Sequence, residues 1–382
     1  MSGTSRTSNL GAPVPVDVSA IEPELRRLWK SASSREGEAA AIRACSCNLV
    51  VFARDRGEAE SLLPILAEIS QWHPCRTLIA CRESEEEDAG HPSTPHMHAW
   101  ISAQCSVPFT GGPQVCSEVI TLSARSIAAT DLLNTVVGLL IPDLRVFIYW
   151  RSFNEQDRGP IEHIARYAHT LIVDSHATKD DPVARDRLME LLLHPPAGVA
   201  VRDLNWARLN AWRDVVAQFF DNPALRHEVF EIAEMEIERD IALTGNIPTR
   251  TLLLTGWLAS RLSWSLISTE RSDDQWISNW HSRSGDVRVR FSGHTTASNQ
   301  IPGISTIILK ARSGTTFRLV REEGSAHIRA TTTGGGPQLI HSVPQESMDE
   351  ATLLVRELSL SGKDTSFQDS LSQALALEKR FS

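Results

Sequence analysis

The stretch NLVVFARDRGEAESLLPILAEISQWHPCRTLIAC, residues 48–81, decides the fold expected for the first half of the chain. Its two ends, NLVVFA at residues 48–53 and RTLIAC at residues 76–81, are short apolar runs typical of buried strands. The segment between them carries Leu62 and Leu66 at helical spacing. A strand, a helix and a strand in this order favour a parallel pair joined by a right-handed crossover. The stretch therefore predicts a Rossmann-like unit.

The same alternation of strands and helices continues on the C-terminal side of this unit. Two facing runs predict a hairpin, at residues 98–107 and 115–123, and two more core strands follow at residues 145–150 and 170–175. A hairpin within an otherwise parallel set makes the sheet mixed. We therefore expect an N-terminal Rossmann-like mixed-sheet domain in three layers.

The limits of this first domain follow from changes in composition. Residues 1–16 are polar and contain Pro13 and Pro15, so they are expected to be a disordered arm. An amphipathic docking helix follows, with Ile21 and Leu25 at helical spacing. We place the Rossmann-like domain at residues 17–178.

Residues 179–382 have a different pattern, because long helices rich in tryptophan precede strands of period two. Helices are expected at residues 182–193, 203–221 and 251–267, and strands at residues 286–291, 303–311, 315–322 and 325–331. Residues 222–242 fit a helix or a strand, and helices after residue 349 are expected to cover the sheet. The second domain is predicted to be α+β with an antiparallel meander.

Length and composition restrict the class of protein. The chain has 382 residues, which favours two domains, and 41% hydrophobic with 22% charged residues is typical of a globular protein. No apolar run reaches the ~20 residues that span a bilayer, so a cytoplasmic protein is expected. The net charge of −9 argues against nucleic acid as the main partner.

The familiar signatures of catalysis and cofactor binding are absent from the sequence. The first core strand runs into ARDRG at residues 53–57 instead of GxGxxG, and neither a P-loop, a GxSxG elbow nor an HExxH helix occurs. His91, His96 and His98 lie close together in sequence, but irregular histidines in an acidic loop are more often solvated than metal ligands. We expect no catalytic residue, cofactor or metal.

One alternative keeps a ligand site in the first domain. Asp174 ends a core strand, and Arg151 follows the neighbouring one. Ligands of open α/β sheets bind at such carboxyl edges, so a sugar phosphate or nucleotide site near Arg151 and Asp174 is the rival hypothesis. The simpler interpretation of Asp174 is a strand-end cap.

All six cysteines lie in the first third of the chain, and none forms a CxxC pair. Small buried hydrophobes in a sheet are the simplest interpretation. Cys105 and Cys116 flank the expected hairpin turn and face each other if the register is centred near Thr110, so they are the candidates for a redox-active pair.

Two features stand out as candidates for contact with a protein partner. The chain has ten tryptophans against two tyrosines, and tryptophan and arginine are enriched at interface hot spots. The first candidate set lies on one helix: Trp206, Arg208, Trp212 and Arg213. The second lies on the outward side of the meander, where Arg288, Arg290 and Arg318 stand with Lys310, His327 and Arg329. A core stripe and a solvated sheet face are the respective alternatives.

At DLNWARLNAWRDVVAQFFD, residues 203–221, the sequence closely resembles the signature of the OpcA family of glucose-6-phosphate dehydrogenase assembly proteins. Other segments agree in order: AIEPELRRLW, WHPCRTLIA, SEVITLSA, LLIPDLRVFIYWR and TLLLTGWLASRLSW. The resemblance extends from about residue 16 to the C-terminus.

This resemblance implies a non-catalytic protein that binds glucose-6-phosphate dehydrogenase and promotes its assembly or allosteric activation in the oxidative pentose phosphate pathway. NADP would then belong to the partner. No catalytic residues are carried over.

Overall fold

The structure is a computed structural model of the whole chain. It describes residues 7–9, 13–33, 41–83, 96–106, 114–125, 129–152, 158–239, 247–272, 275–293, 303–322, 327–335, 337–344 and 349–381. Two compact units are formed. The first comprises Met1–Leu204 and Asp349–Lys363, and the second comprises Asn205–Met348 and Asp364–Ser382.

The first unit is built on a ten-stranded sheet. In chain order its strands are β1 (Thr7–Asn9), β2 (Val14–Val16), β3 (Ala41–Arg43), β4 (Cys47–Phe52), β5 (Cys75–Arg82), β6 (His96–Ser106), β7 (Gln114–Arg125), β8 (Arg145–Trp150), β9 (Thr170–Val173) and β10 (Ala200–Asp203). The main path runs β1-β6-β7-β5-β4-β8-β9-β10. Along this path the six strands β7-β5-β4-β8-β9-β10 are parallel to one another. Strand β6 pairs with β7 as the antiparallel hairpin that the sequence predicts.

Helices cover this sheet on both faces. They are α1 (Ile21–Ser33), α2 (Arg56–Trp72), α3 (Ala129–Gly138), α4 (Arg158–Ala165), α5 (Pro182–Leu193) and α9 (Glu350–Ser359). Every residue of the central strand β4 is buried, which requires cover on both sides. Helix α2 packs on α9, and α3 packs on α4. The predicted Rossmann-like three-layer architecture is confirmed.

The docking helix α1 is held by a charged network as well as by its apolar face. Arg76, on β5, donates from Nη1 to Oε1 of Glu22 at 2.6 Å and from Nε to Oε2 of Glu118 at 2.8 Å. Trp29 donates to the other oxygen of Glu118 at 2.7 Å. Because Arg76 and Glu118 are buried, the pair fixes α1 to the sheet.

Two limits predicted for the first domain are wrong. Residues 7–9 and 14–16, expected in a disordered arm, form β1 and β2, which pair with β6. The boundary lies at Leu204, not at residue 178, because β10 pairs in parallel with β9 and so continues the first sheet. Helix α9 also belongs to this unit, whereas the sequence suggested that it covers the meander.

The second unit is built on an eight-stranded sheet. Its strands are β11 (Ile232–Arg239), β12 (Ser265–Arg271), β13 (Trp276–Ser282), β14 (Gly285–Gly293), β15 (Ile304–Ala311), β16 (Thr316–Arg321), β17 (His327–Thr333) and β18 (Ile340–Pro344). The order is β12-β13-β14-β11-β15-β16-β17-β18. The meander is therefore interrupted, because β11 lies between β14 and β15 and pairs in parallel with β14.

Helices α6 (Leu204–Ala207), α7 (Asn210–Asp221), α8 (Thr249–Leu262) and α10 (Thr365–Phe381) complete the second unit. The single helix predicted for residues 203–221 is broken between α6 and α7, and the helix predicted to reach residue 267 ends at Leu262, where Ser263 takes a left-handed conformation. Helix α7 contacts β16, β17 and β18, and α10 contacts α8 and β12. The α+β class is confirmed.

Candidate functional site

The carboxyl edge of the parallel strands in the first sheet holds a cavity of about 440 Å³. The ends of β4, β5 and β8 line it, together with residues of α3. Strand β4 has β5 on one side and β8 on the other: α2 connects β4 to β5, whereas the connection through α3 leads to β8, so the strand order changes direction beside β4. This is the position at which open α/β sheets place their ligands.

The turn from β4 to α2, at this edge, is occupied by carboxylates of the chain. Asp55 caps α2 and accepts a hydrogen bond from the amide of Glu58 at 2.8 Å. Glu58 in turn accepts from the amide of Arg54 at 2.6 Å. A dinucleotide places its pyrophosphate on the amides of such a helix N-terminus. Here the amides of Arg54 and Glu58 already have carboxylate partners, and the negative charges of Asp55 and Glu58 would repel an added phosphate.

Arg151 and Asp174, the residues of the rival ligand-site hypothesis, are both engaged. Arg151 forms a bidentate pair with Glu350, and Asp174 accepts from the amide of His176 at 3.1 Å as a cap. Burial lowers the pKa of Arg151, but its hydrogen bonds with Glu350 outweigh burial and raise the pKa above its ordinary value. Arg151 is therefore not open to bind an anionic ligand, and Asp174 is not open to accept a hydrogen bond from a ligand hydroxyl.

A buried carboxylate also lies at the carboxyl ends of the neighbouring strands β9 and β10. Asp203, only 1% exposed, ends β10 and accepts from the amide and the hydroxyl of Ser175, at 3.0 and 2.6 Å. Asp203 thus fixes the loop after β9. Asp203 was not among the residues predicted for a site, because the sequence pattern placed it at the start of a helix, residues 203–221, and not at the end of a strand.

The aromatic candidates of the second unit lie in its interior. Trp206 and Trp212 are 4% and 2% exposed. The indole N–H of Trp206 donates to Asp364 at 2.9 Å, and the guanidinium of Arg213 lies 3.4 Å from the ring centroid of Trp206. Arg208 is half-buried. The interpretation of these tryptophans as a core stripe therefore fits the structure, and they do not present their rings to a partner.

The outward side of the second sheet carries both signs of charge, not the concentrated positive charge expected from the sequence. Arg290 and Lys310 lie within 3.3 Å of Glu234 and Glu236, and each cation contacts both carboxylates. These glutamates come from β11, which the sequence analysis left undecided between helix and strand. Because β11 lies in the middle of the sheet, its carboxylates neutralise the centre of this surface.

Arginines remain exposed on the same surface, away from the central glutamates. Arg288 is exposed and donates to Asn279 at 3.4 Å. Arg318 and Arg329 are exposed on β16 and β17, and Ile340 on β18 is 68% exposed. Within the described residues these two arginines have no carboxylate within 4.0 Å. We define Arg318, Arg329 and Ile340 as the β16–β18 patch.

Cys105 and Cys116 face each other across the β6–β7 hairpin and are joined by a disulfide. The centre of the expected turn, near Thr110, lies outside the described residues. Cys47 and Cys75 are buried as free thiols on neighbouring strands, and Cys45 is half-buried. Whether the Cys105–Cys116 pair is redox-active stays a prediction.

His96 and His98 lie on β6 with their ring centroids 4.5 Å apart, and His91 falls outside the described residues. Across the ranges that the structure describes, no group of three or more His, Cys, Asp or Glu side chains is arranged to hold a metal ion. In the same ranges, no helix is long and apolar enough to cross a membrane.

Comparison with known proteins identifies relatives for both halves of the chain. The OpcA profile described as the glucose-6-phosphate dehydrogenase subunit N-terminal domain matches residues 66–190, and the corresponding C-terminal domain profile matches residues 199–371. Two curated cyanobacterial proteins named "Putative OxPP cycle protein OpcA" are similar to the chain. The Nostoc punctiforme protein is 31% identical over 322 residues, covering 80% of this chain and 66% of its own length. The Synechocystis protein is 27% identical over 321 residues, covering 81% and 64%.

The chain thus spans slightly less than two thirds of the length of these two curated relatives. Among solved structures, it is similar to a dehydrogenase from Clostridium difficile, with 9% identity, a TM-score of 0.47, and coverage of 88% of this chain and 98% of that one.

Proposed function

This chain belongs to the OpcA family, and from that membership we propose that it is a non-catalytic partner of glucose-6-phosphate dehydrogenase. In this proposal it binds the dehydrogenase directly and promotes its assembly or its allosteric activation in the oxidative pentose phosphate pathway. NADP and glucose 6-phosphate are bound by the dehydrogenase and not by this chain. The cytoplasmic location expected from the sequence is part of the same proposal.

The single observation that carries the non-catalytic part is the turn from β4 to α2. Asp55 and Glu58 occupy amides at the position where a Rossmann-like domain holds pyrophosphate. A hydride-transferring enzyme with this architecture needs a bound dinucleotide. The negative charge at this turn opposes it, which favours a binding function over an oxidoreductase function.

The proposed contact surface is the outward side of the second sheet, at the β16–β18 patch. Arginine offers five donors in a rigid fork, and the exposed Ile340 on the edge strand β18 supplies apolar area, so the combination suits a hot spot. Arg288 extends the surface on the far side of the central glutamates. Arg290 contributes less in this proposal, because its charge is already neutralised by Glu234 and Glu236.

The segment of α6 and α7 that carries Trp206 and Trp212 is a weaker candidate for the contact. Its two tryptophans are buried, and Arg213 covers one of their rings. Arg208, between α6 and α7, is half-buried. Replacing Arg208 removes no buried ring, so it tests this segment more cleanly than replacing the tryptophans.

The experiment that tests the proposed function uses the purified chain with and without the dehydrogenase from the same source. The chain alone is expected not to reduce NADP with glucose 6-phosphate. Added to the dehydrogenase, it is expected to change the oligomeric state, the KM or the kcat of that enzyme. Turnover by a preparation proven free of dehydrogenase contradicts the non-catalytic part, and unchanged kinetics and assembly contradict the activator part.

A further inference from the structure

The cavity at the carboxyl edge of the first sheet is not used by the proposed function. Its volume, about 440 Å³, falls within the range of ~300–1,000 Å³ that is typical of small-molecule sites. It lies where the strand order changes direction beside β4. Size and position together indicate a site for one small ligand.

One part of the cavity lining is an aromatic and aliphatic platform. The rings of Phe52 and Trp150 stack with centroids 4.2 Å apart and an interplanar angle of 22°, and the two side chains are 7% and 5% exposed. Leu132 and Leu133 of α3 line the same cavity. A surface of this kind favours a planar ring, which gains both stacking and apolar burial.

Cationic side chains line another part of the cavity. Arg82 is exposed and forms no ion pair within the described part of the chain. Arg54 is 69% exposed and lies 3.5 Å from Asp55, an exposed pair that contributes little. The guanidinium group matches the geometry of a phosphate and can bind it with two parallel hydrogen bonds.

The carboxylates at the start of α2 limit how much phosphate the ligand carries. Asp55 lines the cavity and accepts a hydrogen bond from the amide of Glu58, and the carboxylate of Glu58 accepts one from the amide of Arg54. A pyrophosphate at that helix would meet the negative charges of Asp55 and Glu58, and the amides of Arg54 and Glu58 are already engaged. A single phosphate that reaches Arg54 and Arg82 avoids this position.

We propose that this cavity binds a nucleoside monophosphate, with its base against Phe52 and Trp150 and its phosphate at Arg54 and Arg82. The carboxylate of Glu83 and the hydroxyl of Ser152 also line the cavity and can accept hydrogen bonds from a ribose. The inference does not depend on the identity of the protein partner.

The test titrates the full chain with adenosine monophosphate and follows heat and intrinsic tryptophan fluorescence. We expect saturable binding with a change in fluorescence, because Trp150 lines the cavity. Arg82→Ala is expected to weaken binding roughly tenfold or more, as for the loss of a charge-assisted contact. Arg145→Ala is the matched control, since Arg145 is exposed at the opposite, amino end of β8. Ala129→Trp, at the half-buried start of α3, is expected to fill the cavity and abolish binding without lowering the melting temperature.

Two further probes separate the parts of the ligand. Ribose 5-phosphate, which has no base, and NADP, which carries a pyrophosphate, are both expected not to saturate the site over the same concentrations. The proposal is overturned if the folded wild-type chain shows no saturable binding, or if Arg82→Ala and Ala129→Trp both bind like wild type. Ribose 5-phosphate binding as tightly as adenosine monophosphate, or NADP binding as tightly or more tightly, overturns it equally.

Discussion

Glu350 and Arg151 form a bidentate ion pair, in which Nε of Arg151 donates to Oε1 and Nη2 donates to Oε2, each at 2.9 Å. The hydroxyl of Tyr149 donates to the same Oε1 at 2.8 Å. Glu350 is the first residue of α9, and Arg151 follows β8. The pair therefore ties a late segment of the chain to the central strands of the first unit, across 199 positions of sequence.

Glu350→Gln is expected to destabilise the first unit. The substitution removes the charge that pairs with Arg151, whose side chain is only 24% exposed. Hydrogen bonds to charged, partly buried groups contribute about 1.5–3 kcal/mol, so a loss in this range is expected in urea unfolding. Glu60→Gln is the matched control, because its pair with Arg56 is exposed and contributes at most about 1 kcal/mol. Equal losses for the two variants would show that the pair does not hold α9.

Acid stability is expected to depend on Glu83. Its carboxylate accepts from Ser123 and Arg125 at 2.6 and 2.9 Å. Burial raises the pKa of Glu83, but these hydrogen bonds and the charge of Arg125 outweigh burial and hold the pKa below its ordinary value of 4.5. The unfolded chain therefore binds this proton more readily than the folded chain.

The contribution of Glu83 to stability is complete above its unfolded-state pKa and is lost as the pH falls through the lower folded-state value. Urea unfolding between about pH 3 and pH 7 measures this dependence. In Glu83→Gln the curve is expected to be flatter on its acid side than in wild type. A curve as steep as that of wild type contradicts the assignment.

The burial of Trp206 predicts a large effect of its removal. Trp206→Ala removes a core ring that packs on Phe367 and under Arg213, and a loss of about 3–5 kcal/mol in the free energy of unfolding is expected. Trp72→Ala is the control, because Trp72 is 70% exposed and its replacement is expected to change stability by at most about 0.5 kcal/mol. If Trp206→Ala leaves stability intact but abolishes binding to the dehydrogenase, Trp206 is an interface residue after all.

Helices α8 and α10 approach each other closely at Gly256, so a single methyl group added at this position is expected to destabilise the protein. A Cβ at this position would lie 2.3 Å from the carbonyl oxygen of Ser370 and 3.0 Å from the amide nitrogen of Ala374. Backbone atoms cannot move aside cheaply, so Gly256→Ala is expected to cost about 1–3 kcal/mol. Gly159→Ala, with no atom within 4 Å of the added carbon, is expected to be neutral or stabilising. Thermal melting of the two variants compares them directly.

Local sequence pattern was sufficient for much of the first unit, because strands such as β4 and β5 are buried on both faces and their apolar runs are continuous. Local pattern was insufficient for strands whose pairing partners lie far away in the sequence. Residues 7–9 and 14–16 are polar or contain proline, and become strands only because β6 offers them partners. Strand β11 has alternating glutamates that fit a helix equally well, and its position in the sheet depends on long-range pairing with β14 and β15.

In the candidate site, too, features that depend on neighbouring residues could be predicted from the sequence, whereas contacts between distant residues could not. The lack of a glycine fingerprint at residues 53–57 was visible in sequence, but the hydrogen bonds by which Asp55 and Glu58 occupy the helix start depend on the folded turn. Glu350 could not be paired with Arg151 from sequence, because nothing local connects them. The arginines of the second sheet were placed on the correct side, whereas the neutralising Glu234 and Glu236 required the position of β11.

The central claim is direct binding to glucose-6-phosphate dehydrogenase through the β16–β18 patch, and a titration of the two purified proteins tests it most directly. Wild type is expected to form a saturable complex in sedimentation or calorimetry. The double variant Arg318→Ala and Ile340→Ala is expected to bind more weakly by roughly 2 kcal/mol or more, if the patch is a hot spot, with unchanged circular dichroism. Arg283→Ala, in the exposed turn between β13 and β14, is expected to bind like wild type. The absence of any complex contradicts the proposed function, and a double variant that binds as tightly as wild type contradicts the proposed surface.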